Sequence, residues 1–159
     1  MASLLGTLLA TLLGGLGLLH LVWAAGLSFP FANQQALARS VVGRRGITQL
    51  PSRAAVCFLG VLLLLAAAAS FLLGHHGWMS TATKLIMLPV GLFLSAIFLL
   101  RGIVAILPAF ERAAPEQPYL SLNRRIYSPL SVLIGFSFLA LTMSLPNWSW
   151  QLSRLFTQP

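Results

Sequence analysis

The sequence predicts an all-α integral membrane four-helix bundle, both termini outside, with a short interfacial helix in the first loop. Composition, four long apolar runs and the placement of the basic residues carry that prediction. Of 159 residues, 58% are hydrophobic and 8% charged, against about 25% charged in an ordinary soluble domain. A spanning helix needs roughly 20 apolar residues to cross about 30 Å of hydrocarbon. Four runs qualify, about residues 4–25, 54–73, 85–107 and 129–145, and make residues 1–159 a single four-span membrane domain. The fourth is the shortest and would extend by a turn or sit where the bilayer thins.

The first run lacks the basic n-region of a signal peptide and outruns a usual h-region, so it is read as a retained span. Gly6, Ala10, Gly14 and Gly17 lie along one stripe, which permits close backbone approach to a neighbouring helix. The same stripe would equally serve a contact between copies of the chain in a homo-oligomer. At about 100° per residue, His20 falls on the edge of the stripe with Trp23 roughly 60° further round, so His20 should face protein.

In the first loop, Asn33 to Val42 reads as a short helix with Asn33 as N-cap and Gly43 as its stop. Leu37 and Val41 share a face, which would lay this helix on the inner membrane surface. A polar loop tied to the bilayer by its arginines is the alternative. The third span offers Gly91, Ser95 and Gly102 on one face, and the fourth offers Ser128, Ser131, Gly135 and Thr142. These faces should meet around a weakly polar interior. Ser128 is suited to cap the fourth helix and Pro129 to occupy its first turn.

Arg101 lies 17 residues after Lys84, roughly 25 Å along a helix, which sets it near the inner edge of the hydrocarbon. Two readings are open. It is a snorkelling anchor, or a guanidinium turned inward to hold a carboxylate, phosphate or carbonyl group.

Orientation follows from the basic residues. Arg39, Arg44, Arg45, Arg53, Arg101, Arg112, Arg124 and Arg125 flank loops one and three, and Lys84 and Arg154 lie at the opposite end. Loops one and three are therefore expected in the cytoplasm. Trp78, Trp148 and Trp150 would form the outer aromatic belt, with Trp23, Tyr119 and Tyr127 toward the inner interface. The net charge of +8 is distributed between apolar runs and not over a soluble face, so nucleic acid is not an expected partner. Membrane lipids are, with Arg39, Arg44, Arg45, Arg124 and Arg125 touching anionic headgroups.

The composition also narrows the chemistry. Glu111 and Glu116 are the only acidic residues and neither lies in a span, which disfavours proton-coupled transport through intramembrane carboxylates. His75 and His76 sit in the outer loop, far from His20, so two-histidine haem ligation within one chain is disfavoured. They have no Cys, Asp or Glu beside them, and no metal or cofactor is expected. Cys57 has no base at helical spacing. The acceptor pattern Asn147-Trp-Ser149 abuts the membrane and is read as chance.

Several stretches share a pattern with a known family: His20-Leu-Val-Trp23-Ala-Ala-Gly26, Phe98-Leu-Leu-Arg101-Gly-Ile with Phe110 after it, and Tyr119-Leu-Ser-Leu-Asn123-Arg-Arg-Ile-Tyr127-Ser-Pro-Leu130. The chain resembles a bacterial four-span family of unknown function over essentially its whole length. It departs from that pattern in Asn123, where an aspartate is common, and in Ser131, where a cysteine is common. The resemblance implies a multi-pass protein of the bacterial inner (plasma) membrane and brings no activity with it.

In the expected topology His20, Trp23, Arg101, Tyr119, Asn123, Tyr127 and Ser128 all fall near the cytoplasmic end. That convergence would suit a candidate pocket, or a tightly packed inner end. Two functional classes follow. The first is a binding, accessory or assembly protein contacting lipid, a lipophilic small molecule or a partner membrane protein. The second is a small membrane-embedded enzyme or carrier acting on a lipophilic molecule held between His20 and Arg101, with His20 as acid or base.

Overall fold

The regular structure of the computed structural model is helical throughout residues 1–146, which are the residues it describes. Trp148, Trp150, Arg154 and the Asn147-Trp-Ser149 pattern lie outside them. In chain order the helices are α1 (Ala2–Ala24), α2 (Gln34–Val41), α3 (Arg53–Gly74), α4 (Thr81–Val104), α5 (Pro108–Ala113), α6 (Tyr119–Leu122) and α7 (Ser128–Met143). Four paths are long and apolar enough to cross a membrane: α1, α3, α4, and the stretch from Tyr119 to Met143. The chain is thus a multi-pass membrane protein built as a helical bundle.

Local chemistry sets the helix starts. Asn33 accepts the Ala36 amide at 2.8 Å, Ser52 the Ala55 amide at 3.3 Å and Ser80 the Thr83 amide at 3.2 Å, each satisfying an orphan N–H of a first turn. The fourth span departs from the sequence reading. It begins at Tyr119 and passes through a π-helical turn, Asn123–Tyr127, into α7 without a break. Ser128 is consequently no N-cap: its backbone is helical, at φ −69 and ψ −49. The wide turn lets the Ser128 amide reach back to Asn123 O and relieves the clash that Pro129 would make with the preceding turn of a regular helix.

The bundle is two tightly packed pairs, α1 with α3 and α4 with α7. In the first pair Gly6 meets Gly74 and Gly17 meets Gly60. A Cβ added at Gly6 would stand 2.7 Å from Gly74 Cα, and one at Gly17 3.0 Å from Gly60 O. Gly14, expected on the same stripe, faces open space. The buried face of α1 instead runs through Gly6, Leu9, Leu13 and Gly17, because Gly14 is about 80° of helical turn away from Gly6. In the second pair the expected small-residue faces do meet: Gly91 abuts Thr142, Gly102 abuts Val132, and Gly135 abuts Leu99. Close backbone approach of this kind is what drives helices together in lipid, where burial of apolar surface contributes little.

The pairs share one apolar core, with Leu9 and Leu13 from α1, Ala66 and Leu73 from α3, and Ile134, Phe138 and Leu141 from α7. Leu4, Leu8, Phe58, Leu65, Phe93, Leu100, Leu133 and Phe136 point outward, as lipid-facing side chains should. A second cluster closes the end where α2 sits, joining Trp23, Leu37 and Val56. Leu37 is fully buried, so the apolar face of α2 is covered by protein and does not lie on lipid.

Candidate functional site

The polar interior collects at one end of the α4/α7 pair, beneath the loop that carries α5. Arg101 projects from the last turn of α4, three residues before its end. Its Nη2 donates to Asn123 Oδ1 at 3.2 Å, and its guanidinium lies 5.9 Å from the centre of the Phe110 ring of α5, within cation–π range. Its other terminal nitrogen, Nη1, is buried and has no hydrogen-bond partner among the described residues. The side chain is partly buried, so it is no free snorkelling anchor.

Asn123, fully buried, organises this end. Its Nδ2 donates to Ala105 O at 2.7 Å, and its Oδ1 accepts from Arg101 and, at 3.2 Å, from the Ser128 hydroxyl. Two donors on the oxygen and a carbonyl on the nitrogen fix the amide's orientation. The π turn puts Asn123 and Ser128, five residues apart, side by side. No carboxylate reaches Arg101: in the described residues Glu116 pairs with Arg39 at 2.9 Å, and Glu111 pairs with Arg124 through both oxygens. Tyr119 stands beside Arg101, near enough to feel its charge. Outside the spans, the Arg124 guanidinium holds the Glu111 carboxyl below the usual carboxylate range, its hydrogen bond being the larger cause.

The remaining candidates divide between two groups. Tyr119 and Tyr127 lie together, ring centres 6.1 Å apart, and join α6 and the π turn to loop one. The Tyr127 hydroxyl donates to Ser40 O at 3.1 Å, and the Glu116 amide donates to Gly43 O at 3.0 Å. Gly43, at φ +69, is both the left-handed stop of α2 and the seat for the Tyr119 ring, which any Cβ there would strike. His20 and Trp23 form the second group on the α1/α3 pair. The His20 ring lies 4.8 Å from that of Trp23, and its Nδ1 donates to Leu16 O of its own helix at 2.7 Å. Trp23 donates to Phe29 O at 2.7 Å. His20 shares no partner with Arg101; α2 stands as the link, with Leu37 on Trp23 and Ser40 on Tyr127. The hydrogen bond described for His20 thus runs along α1 itself.

Arg44, Arg45 and Arg125 are exposed around this end, while Arg39 and Arg124 are each engaged by a glutamate. A shallow groove of about 420 Å³ runs between α2 and the turn before α6, lined by Ala36, Arg39, Ser40, Gln117 and Pro118. Among the described residues no three His, Cys, Asp or Glu side chains come together as a metal site. Two features escaped the sequence reading: the cover that α5 places over Arg101, and the backbone carbonyls of Ala105 and Ser40 that receive Asn123 and Tyr127. Pro108 followed by Glu111 is an acidic first turn behind a proline, a helix-start signal that could have revealed α5.

Chemically, the arrangement is a fixed cation held against a neutral amide in a low-dielectric rim. It lacks an adjacent acid–base pair; what it offers is charge-assisted hydrogen bonding. No curated protein and no solved structure matches the chain. Residues 13–138, which include every residue of both groups, match the model of the family described as "Protein of unknown function (DUF3995)", and the chain belongs to that family.

Proposed function

We propose that this membrane protein is a non-enzymatic binding or accessory protein of the bacterial inner membrane. Its recognition end is the one that carries loops one and three, and that end faces the cytoplasm. The observation that carries the reading is the Arg101–Asn123–Ser128 cluster. It is a partly buried, hydrogen-bonded cation that meets no carboxylate among the described residues, placed where eight of the ten basic residues gather. A positive end of this kind matches the cytoplasmic side of a bilayer and its anionic headgroups. Catalysis by His20 has less support, since its Nδ1 is held by Leu16 O and its ring packs on Trp23.

Two measurements test this. Reporter fusions after Gly46 and after Gln117 should read cytoplasmic; periplasmic activity of either would overturn the topology. A photo-crosslinking residue at exposed Ile126, beside the cluster, should give a discrete adduct in intact cells, either a lipid or a defined membrane protein. The same probe at lipid-facing Phe93 should give only diffuse lipid labelling. Identical patterns from the two positions would sink the binding reading.

A further inference from the structure

A cation within a bilayer rim is costly without a counter-charge, and the described residues supply none to Arg101. Both glutamates are committed elsewhere, and the amide of Asn123 is neutral. The neighbouring positions say where the counter-charge comes from. Leu100, Ile103, Val104, Ile106 and Leu107 are all exposed apolar residues around the end of α4, while Arg124 and Arg125 are exposed on the π turn of the fourth span, a combination that suits the border between lipid tails and headgroups. One turn deeper, at Ile97, the surface is again apolar. A headgroup phosphate is the anion that such a border supplies.

We propose that Arg101 is a phosphate receptor, taking the headgroup phosphate of an acidic phospholipid or, by the same chemistry, a free phosphate ion. Asn123 and Ser128 set the guanidinium's orientation. The planar fork of arginine suits this, because Nη2 can remain on Asn123 while the other N–H groups turn to phosphate oxygens. Nη1, buried and without an acceptor among the described residues, is the donor left over for it. Phe110 covers the guanidinium, and α5, which carries it, buries none of its own residues. A small outward movement of α5 opens Nη1 to the ligand. This inference rests on the reading of this end as a binding end, and it names the ligand.

The test is native mass spectrometry of the detergent-purified full-length chain, titrated with phosphatidic acid, with phosphatidylcholine and with inorganic phosphate. The native protein should retain one phosphatidic acid and release phosphatidylcholine. Arg101→Gln should weaken that retention about ten- to hundredfold, as loss of a charge-assisted hydrogen bond implies, while Lys84→Gln, at the opposite end of α4, should leave it within about twofold. Displacement of the lipid by inorganic phosphate at equal concentration would assign the site to free phosphate; resistance would assign it to the lipid. Either supports a phosphate receptor. Equal retention by a folded Arg101→Gln protein, or equal loss in the Lys84→Gln variant, would overturn it. If Arg101→Gln does not fold, phenylglyoxal labelling of the native chain decides. Phosphatidic acid or phosphate should slow modification of Arg101 about tenfold or more, and an unchanged rate would overturn the proposal. A discrete protein crosslink at Ile126 with no phosphate dependence would leave the binding end intact and remove the phosphate alone.

Discussion

The α1/α3 pair and the α4/α7 pair are held together by different means. Between α1 and α3 the contact is backbone on backbone at Gly6 and Gly74 and again at Gly17 and Gly60. The hydroxyls of Thr7, Thr11 and Ser70, and the ring nitrogen of His20, all bond within their own helices. Between α4 and α7 the small residues are joined by polar bonds that cross: Ser95 donates to Gly135 O at 2.8 Å, and Arg101 donates to Asn123. The first pair is a scaffold whose specificity is steric. Of the two pairs, the second is the one whose described side chains bond across its own interface, and its polarity grows toward the loop end.

The steric side of the comparison predicts the largest effect. Gly6→Leu must drive a side chain into the Gly74 backbone, which has no flexible end to yield. A loss of about 3 kcal/mol or more, at the upper end of overpacking penalties, should appear as a lower melting temperature in detergent. Gly14→Ala is the control of opposite sign. It meets open space and should stabilise by up to about 1 kcal/mol, as alanine does over glycine in a helix. Equal destabilisation by both would mean that the sequence-based stripe, with Gly14 included, is the true contact.

On the polar side, Asn123→Leu removes the acceptor shared by Arg101 and Ser128 and the donor to Ala105 O. A cost of about 1–3 kcal/mol is expected, the range for leaving buried polar groups unpaired. Circular dichroism melts should show it, and a neutral result would mean that Arg101 finds another acceptor at no expense. Ser95→Ala is milder. It deletes one cross-helix bond, and such bonds average about 0.6 kcal/mol within membranes. A larger loss would show that the Gly135 carbonyl has no second partner.

How much of this was legible in the sequence follows the same division. Hydropathy located the four spans, because crossing length is a blunt constraint. The Asn33 cap and Gly43 stop of α2 were readable because capping is local chemistry. The facing of Gly91, Ser95 and Gly102 with Gly135 and Thr142 was readable because a single helical face gathers the small residues on each side. By contrast, Gly14 was misplaced because a four-residue step drifts around the helix, so phase error accumulates along a stripe. Ser128 was misread because Ser-Pro has the grammar of a helix start, and the π turn that absorbs Pro129 has no sequence signal of its own. His20 and Arg101 were grouped by depth alone. Depth does not say which helices pair, and the packing of α1 on α3 and of α4 on α7 puts the two on separate pairs.

The smallest expected effect concerns α5, the element that covers the polar end without burying a residue of its own. Its charged tether among the described residues is Glu111 to Arg124, and Arg124 holds the Glu111 carboxyl below its usual range. A depressed folded value means that the tether contributes fully above the ordinary carboxylate range and is lost as pH falls through the lowered value. Because the pair is at the surface, its effect on global stability should be close to undetectable. Amide exchange confined to α5 is the sensitive measure. It should quicken as pH falls below the carboxylate range, once corrected for intrinsic exchange, and Arg124→Gln should quicken it at neutral pH and erase the dependence. Exchange in α5 that ignores both would mean the Phe110–Arg101 contact alone holds the cover. The charge of Arg101, and not the surface pair, would then set how readily this end of the α4/α7 pair opens.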